Sequence, residues 1–564
     1  MNLLHRKSLY KALLVPLLIL LIIWVKFYFQ NDYLLLNGEG NYFVDFDVHQ
    51  FFYGEMWFPE SYGKPDLIGN SNGININFLR TVDELFSNKR LVNFSLISLI
   101  FVLPYIFFYA LCRRHGLNQN LSILISLFYL LNPFSSSYLQ SANQWAVFSM
   151  SLMPLIFLIL DISKTYFHHF IFVGLITSIF SFTLYNPPTA LPVLSTIFLG
   201  LIIKYSDMKI NIQRFWFALF FSCLGFLVFN LGWINNIFDN IGAARSIFNE
   251  EFSLAWISTV VQDNFIILNI FSLTQVIAKG TIFDTFYNNF LYIFIGSLFT
   301  LFTFILSLRT QNRTNRFLSF LLILLIFLSK GTSPPFASIY DYLVINVPYF
   351  FIFKTPTEKF GIILVFILSY SIIRLLRDDI GDLTKIYKKF LLVLVIFYSL
   401  PFLIFDGFSP TSRDDNYEYG RYFDYKNNET LIQYLKENHF GERAIVLPGG
   451  ENYQVLLESV DGKFYSGINP ILSNSGIDVV RTDNDRSPYE LIFQEKWEDY
   501  LEEKDITLIL FSKKEKFWFG AATSIELYDL ERVLKKRGFF ETHENEYYTV
   551  FSKKKVNNRI KLTK

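Results

Sequence analysis

Two carboxylates, Asp45 and Asp47, stand two residues apart in the aromatic-rich stretch Asn37 to Glu60, just after the first long apolar run of the chain. Acidic groups beside hydrocarbon are costly unless they have a partner or a task. A carboxylate within hydrogen-bond reach of an alcohol can take its proton as the oxygen attacks. If the attacked carbon carries a phosphate, the leaving group is already good, and one base suffices for a direct displacement with inversion. A double displacement needs a nucleophile as well. Departing phosphate calls for positive charge, from a side chain or a divalent ion. The Asp-x-Asp spacing of Asp45 and Asp47 also offers oxygen ligands for Mg²⁺ or Mn²⁺.

Local signals separate the two acids. Asp47-Val48-His49-Gln50 reads as a helix start, with Asp47 as N-cap and Gln50 completing a capping box before Pro59 stops the helix. Asp47 is therefore explained equally well by capping. Asp45 precedes the cap, in a segment of extended character, and points from outside the helix toward whatever is bound. His49, Glu55 and Trp57 follow along the same helix as candidate lining residues, although a solvated face accounts better for His49 and Glu55.

A second cationic stretch lies far downstream. Tyr349 to Phe360 carries Lys354, Pro356 and Lys359 at the entry of a later apolar run. Lysines at helix ends commonly snorkel to the interface. The alternative is that Lys354 or Lys359 meets a phosphate.

The elements that must position these groups are membrane helices. The chain has 564 residues, 52% hydrophobic and 18% charged, with a net charge of +1. Apolar runs of about twenty residues recur, which defines a polytopic helical membrane protein. The near-neutral charge gives no footprint for nucleic acid. Windows of about nineteen residues predict about eleven spans. They lie near 9–30, 91–112, 120–134, 145–161, 168–185, 188–204, 215–235, 286–308, 316–330, 359–375 and 389–405. Asn132-Pro133 and Asn186-Pro187-Pro188 read as turns at a membrane face. The run from Leu9 to Phe29 is too long for a signal-peptide core and reads as a retained first helix.

Basic residues gather in alternate connections: Arg6 to Lys11, Arg113-Arg114, Lys204 to Arg214, Arg309 to Arg316, and Arg374 to Lys389. The positive-inside rule makes these cytoplasmic. Loop 31–90, region 236–285, segment 331–358 and everything after about 406 then face outward, in a multi-pass protein of the plasma membrane with an inside N-terminus. Region 236–285 reads either as interfacial helices roofing the site or as a plain connector. His168-His169 falls on the cytoplasmic boundary, away from the chemistry.

Two domains are expected: a transmembrane domain over 1–405 that includes outer loop 31–90, and an extracytoplasmic α/β domain over 406–564. In the latter the periodicity alternates. Helices are predicted over 430–438, 489–503 and 524–536, and strands over 443–447, 506–511, 539–542 and 547–552. Residues 409–426 read as a linker, and Asn428 carries the one glycosylation sequon on the outer side with a suitable context. Cys112 and Cys223, the two cysteines, lie in predicted spans, so this domain has no disulfide or cysteine-based zinc site.

The order of these features resembles the GT-C superfamily of membrane glycosyltransferases, and within it the bacterial arabinofuranosyltransferase-like and YfhO-like proteins. The resemblance runs over nearly the whole chain: the acidic outer loop, Asn143-Gln144-Trp145 entering the fourth span, Lys354-Thr-Pro356-x-x-Lys359-Phe360, and a terminal α/β domain ending in Tyr547 to Ser552. It implies a polyprenyl-phosphate sugar donor, an inverting mechanism and a catalytic Asp in the first outer loop, which maps to Asp45 or Asp47. It also implies a phosphate contact at Lys359 or Lys354, with Trp145 lining the site, and a cell-envelope glycan, teichoic acid or glycolipid as acceptor. The family's entry segment usually has Arg where Lys354 stands, and Lys cannot make the bidentate fork to phosphate. Its early Gly-Asp is Gly40-Asn41 here. An oligosaccharyltransferase is disfavoured by the lack of a Trp-Trp-Asp-Tyr-Gly motif. A lipid-linked glycan transporter calls for acids near the bilayer midplane, whereas the spans are nearly charge-free. A non-catalytic envelope-assembly protein of the same architecture is the remaining alternative.

Overall fold

The structure is a computed structural model. It describes residues 14–21, 34–35, 81–82, 84–86, 88–140, 144–184, 187–207, 212–247, 267–275, 286–348, 350–353, 355–378, 381–403, 422–447, 456–458, 464–466, 471, 475–479, 497–513, 515–516 and 527–553. These residues form two compact units. One takes the described residues within 1–29 and 94–408, and the other those within 30–69, 78–93 and 409–564, strand β1 (Leu34–Leu35) among them.

The first unit is helical. After a helical stretch at 14–21 come α1 (Lys89–Arg114), α2 (Gln119–Leu131), α3 (Pro133–Gln140), α4 (Gln144–Ile162), α5 (Tyr166–Ile179), α6 (Pro187–Asp207) and α7 (Ile212–Ile247). Then follow α8 (Ile267–Phe271), α9 (Phe290–Arg309), α10 (Arg313–Ser329), α11 (Ala337–Asn346), α12 (Pro356–Arg377) and α13 (Asp382–Leu403). Four stretches are long and apolar enough to cross a membrane: Leu91–Arg114, Ile212–Leu231, Phe290–Arg309 and Pro356–Arg377. The pair α2 and α3, bent by 62°, makes a fifth if it counts as one span. The protein is therefore a membrane-embedded helical protein.

Helices stand at each predicted position from 91 to 405, with shifted ends. Asn132 caps α2, and Pro133 opens α3 in a new direction, so the predicted turn there is a sharp elbow. Short polar side chains set several other starts. Thr165, Asn289 and Asn312 each accept a hydrogen bond from a first-turn backbone N–H. Pro356 opens α12 at the position where a missing N–H costs nothing. Helix α7 runs beyond the predicted end to Ile247, and α8 lies within the region read as roof or connector. Helix α11 was not predicted.

Helix α12 is the axis of this unit, with 94% of its apolar window enclosed. Phe366 and Tyr370 of α12 pack against Phe157 of α4, with ring centroids 4.8 and 5.1 Å apart. The other side of α12 meets α3 at Gly361, where a side-chain Cβ would lie 2.3 Å from the Phe134 ring. By contrast the α7 window is 17% enclosed, and Trp216, Phe217 and Phe220 point outward as lipid-facing groups do.

The second unit is α/β. A five-stranded sheet has the order β6 (Asp478–Val479), β3 (Arg443–Leu447), β7 (Ile506–Ser512), β10 (Tyr548–Ser552), β9 (Phe540–Glu544). The β6–β3–β7 half is parallel and the β7–β10–β9 half antiparallel. Strands buried on both faces read as continuous apolar runs, which is why 443–447 and 506–511 were legible. Trp497 and Leu501 of α15 (Trp497–Glu503) and Leu534 of α16 (Leu527–Lys536) cover one face with Ile445, Leu447, Ile509 and Phe511. Helix α14 (Tyr425–His439) is capped by Asp424 and begins five residues earlier than predicted. Within the segment read as linker, β2 (Tyr422–Phe423) pairs antiparallel with β1, Leu34 opposite Phe423. A second, three-stranded sheet orders β5 (Phe464–Ser466), β4 (Leu456–Glu458) and β8 (Glu515–Lys516).

The sequon at Asn428 is corrected. Its side chain is fully buried, donates to the Asp424 carbonyl at 2.9 Å and accepts from Asn545 at 3.2 Å, so it is closed to a glycosylating enzyme. Cys112 and Cys223 are free thiols.

Candidate functional site

Asp45, Asp47, His49, Glu55, Trp57 and Lys354 lie outside the described residues. Of the predicted site, the structure places Lys359 and the backbone of Trp145. Trp145 is the second residue of α4, and Lys359 is in the first turn of α12. The two helices start level. Phe157, twelve residues after Trp145, packs on Phe366, ten residues after Pro356. The far ends of both helices meet the end of α6, α4 through Leu160 O and Lys204 and α12 through Arg374 and Asp207, so the helices run parallel and, at about 1.5 Å rise per residue, both starts lie at one end of the bundle.

At this end Lys359 is half-buried and its Nζ lies 3.4 Å from the Glu358 carboxylate. Its amide and that of Glu358 both donate to Thr355 O at 3.1 Å, which closes the first turn. Phe360 turns inward onto Phe353, centroids 4.8 Å apart, in a cluster with Tyr340, Val344 and Phe351. Lys359 is thus an interfacial cation with a carboxylate neighbour, a weaker candidate for an anion than an unpaired one.

The same end holds polar groups that sequence reasoning missed. Lys330, the C-cap of α10, is 2% exposed. Its Nζ donates to Ser333 O at 2.6 Å and contacts Gly331 O at 3.4 Å. Phe327 puts its ring 4.8 Å from the ammonium. Beside Gly361, the Gln275 amide is buried, and neither its oxygen nor its nitrogen has a hydrogen-bond partner. The sequence carried a signal for Lys330: a single cation directly after the apolar run Phe317–Ser329, in an otherwise base-poor connection.

The opposite end gathers the basic connections. Arg114 pairs with Asp161 and Arg374 with Asp207. Lys204 donates to the last carbonyls of α4, Leu160 O and Ser163 O, each at 2.6 Å. Asp378 accepts from Asn312 at 3.0 Å and Asn315 at 2.8 Å. The connections at 113–114, 204–207, 312–315 and 374–378 therefore share one end of the bundle, and Arg6 to Lys11 lie outside the described residues. His168 and His169 lie in the first turn of α5, where His168 stacks on Phe172 and His169 is buried.

No group of three or more His, Cys, Asp or Glu suited to a metal occurs among the described residues. The Mg²⁺ or Mn²⁺ expectation falls on Asp45 and Asp47, outside them.

No protein-family model matches the sequence, and no curated protein does. The solved structures similar to it include two of ArnT from Cupriavidus metallidurans. The apo form covers 97% of this chain and 98% of its own, with TM-score 0.44 and 9% identity. The form bound to undecaprenyl phosphate covers 96% and 98%, with TM-score 0.44 and 10% identity. Superpositions this loose leave fold and chemistry to be read from the chain itself.

Proposed function

We propose that this protein is an integral-membrane glycosyltransferase of the GT-C type. It moves a sugar from a polyprenyl-phosphate donor to a hydroxyl of a cell-envelope polysaccharide, teichoic acid or glycolipid at the outer face of the plasma membrane. Asp45 or Asp47 takes the proton of the acceptor hydroxyl. The acceptor oxygen bonds to the anomeric carbon from the face opposite the phosphate. The carbon–oxygen bond to the phosphate breaks, and its electron pair leaves with the lipid phosphate. Lys359 or Lys354, or a divalent ion held by the Asp pair, balances that charge.

The observation that supports the reading most directly is the β1–β2 pairing. Hydrogen-bonded strands share a compartment. The polar stretch that carries Asp45 and Asp47 begins immediately after β1, and β2 opens the α/β unit. The acids and that unit are thus read on one side of the membrane.

The test is transfer by purified protein from a polyprenyl-phosphate sugar. Asp45→Asn, nearly isosteric, is expected to keep expression and melting temperature and to lose turnover. Unchanged turnover in both Asp45→Asn and Asp47→Asn removes the carboxylates from the mechanism.

A further inference from the structure

Span α10 carries no charge between Phe317 and Ser329, and then the chain turns through Ser329-Lys330-Gly331-Thr332-Ser333. Gly331 takes a left-handed φ of 56°, and Ser333 N–H returns to Lys330 O at 3.2 Å. This fold draws three polar side chains out of water within five residues. Lys330 is 2% exposed, Ser329 is fully buried and Ser333 is 4% exposed. Burying an ammonium without a counter-ion is expensive. Among the described residues no carboxylate reaches Lys330 within ion-pair distance. Its immediate company is two backbone carbonyls and the Phe327 ring, and the Asp341 carboxylate of α11 acts on it from beyond ion-pair distance. An ammonium has three protons to donate, and the close contact to Ser333 O engages one of them well. The hydroxyls of Ser329 and Ser333, which flank it in sequence, have no hydrogen-bond partner.

A cation with spare donors and two unanswered hydroxyls together define a site for an oxygen-rich anion. The next element says what carries that anion. Helix α11 turns Tyr340 and Val344 inward, while Ile339, Tyr342 and Ile345 are exposed, and Phe336 just before it is 67% exposed. An exposed apolar face directly after the turn fits hydrocarbon.

We propose that the turn Ser329–Ser333 binds the phosphate group of an amphiphile, with Lys330 as the counter-charge and the Ser329 and Ser333 hydroxyls as donors. The inference deepens the proposed function, on which it rests only for the lipid's identity, and it moves the phosphate contact from Lys354 and Lys359 to Lys330.

Binding tests it without turnover. Full-length protein in nanodiscs of phosphatidylcholine is titrated with a polyprenyl phosphate and, separately, with inorganic phosphate. Lys330→Met is expected to weaken polyprenyl-phosphate binding by about ten-fold or more, the loss of a charge-assisted contact. The double substitution Ser329→Ala/Ser333→Ala is expected to weaken it several-fold with no fall in melting temperature. That pair also serves if Lys330→Met does not fold. The readout is binding and needs no turnover, so failure of the transferase reading registers separately. Inorganic phosphate bound with the same Lys330 dependence assigns recognition to the headgroup alone. Lys330-dependent binding of polyprenyl phosphate with no binding of inorganic phosphate assigns recognition to headgroup and hydrocarbon together. Affinity unchanged in Lys330→Met and in the serine pair overturns the proposal.

Discussion

Arg374 of α12 donates to Asp207 at the end of α6 through both guanidinium nitrogens, Nη1 to Oδ2 at 2.5 Å and Nη2 to Oδ1 at 3.2 Å. Arg374 is 1% exposed, so its charge depends on this partner. Thr314 of α10 donates to the same carboxylate at 2.8 Å, and Asp207 thereby ties three helices.

Removing one member of a buried pair strands the other. Asp207→Leu is expected to cost about 2–3 kcal/mol, below the fully buried case because Asp207 retains 29% exposure. Arg374→Met with Asp207→Leu is expected to recover most of that loss. Thermal unfolding in detergent reads both, and a double variant no more stable than Asp207→Leu removes the pair from the stability account.

Helices α5 and α7 touch through glycine. A Cβ on Gly225 would lie 2.1 Å from the Phe170 carbonyl oxygen, and the obstacle is backbone rather than a side chain able to swing away. Gly225→Ala is therefore expected to push the helices apart and to cost about 2 kcal/mol or more. Gly116, at φ 83° with nothing near its Cβ position, is the control: alanine there meets only backbone strain of about 1 kcal/mol. Equal melting temperatures for Gly225→Ala and the wild type would falsify the close crossing.

Strand pairing makes a covalent prediction. Leu34 and Phe423 face each other across β1 and β2. Opposed antiparallel residues lie about 4.5–5.5 Å apart at Cα, within disulfide reach. In a background with Cys112→Ala and Cys223→Ala, Leu34→Cys with Phe423→Cys is expected to cross-link under mild oxidation and to shift mobility on a non-reducing gel. No cross-link, with both thiols still reactive, argues against the pairing.

Several of these relationships were legible in the chain. Apolar runs placed helices at 91–405 because hydrocarbon demands an unbroken apolar surface. The strands at 443–447 and 506–511 showed because a doubly covered sheet leaves no polar face. Arg443–Leu447 was readable to the residue. The basic connections, read by charge alone, are those that Arg114–Asp161, Arg374–Asp207 and Asp378–Asn315 draw to one end.

The candidate site divides differently. Residue type and spacing alone nominated Asp45, Asp47 and Lys359, since ionisable groups stand out against hydrocarbon. Only the tertiary structure showed that Lys359 has Glu358 beside it, while Lys330 is buried with no carboxylate in ion-pair contact. The reason is physical. Charge is a property of a residue, but desolvation and pairing belong to its surroundings, and a turn that buries Ser329, Lys330 and Ser333 together leaves no periodic mark in the sequence.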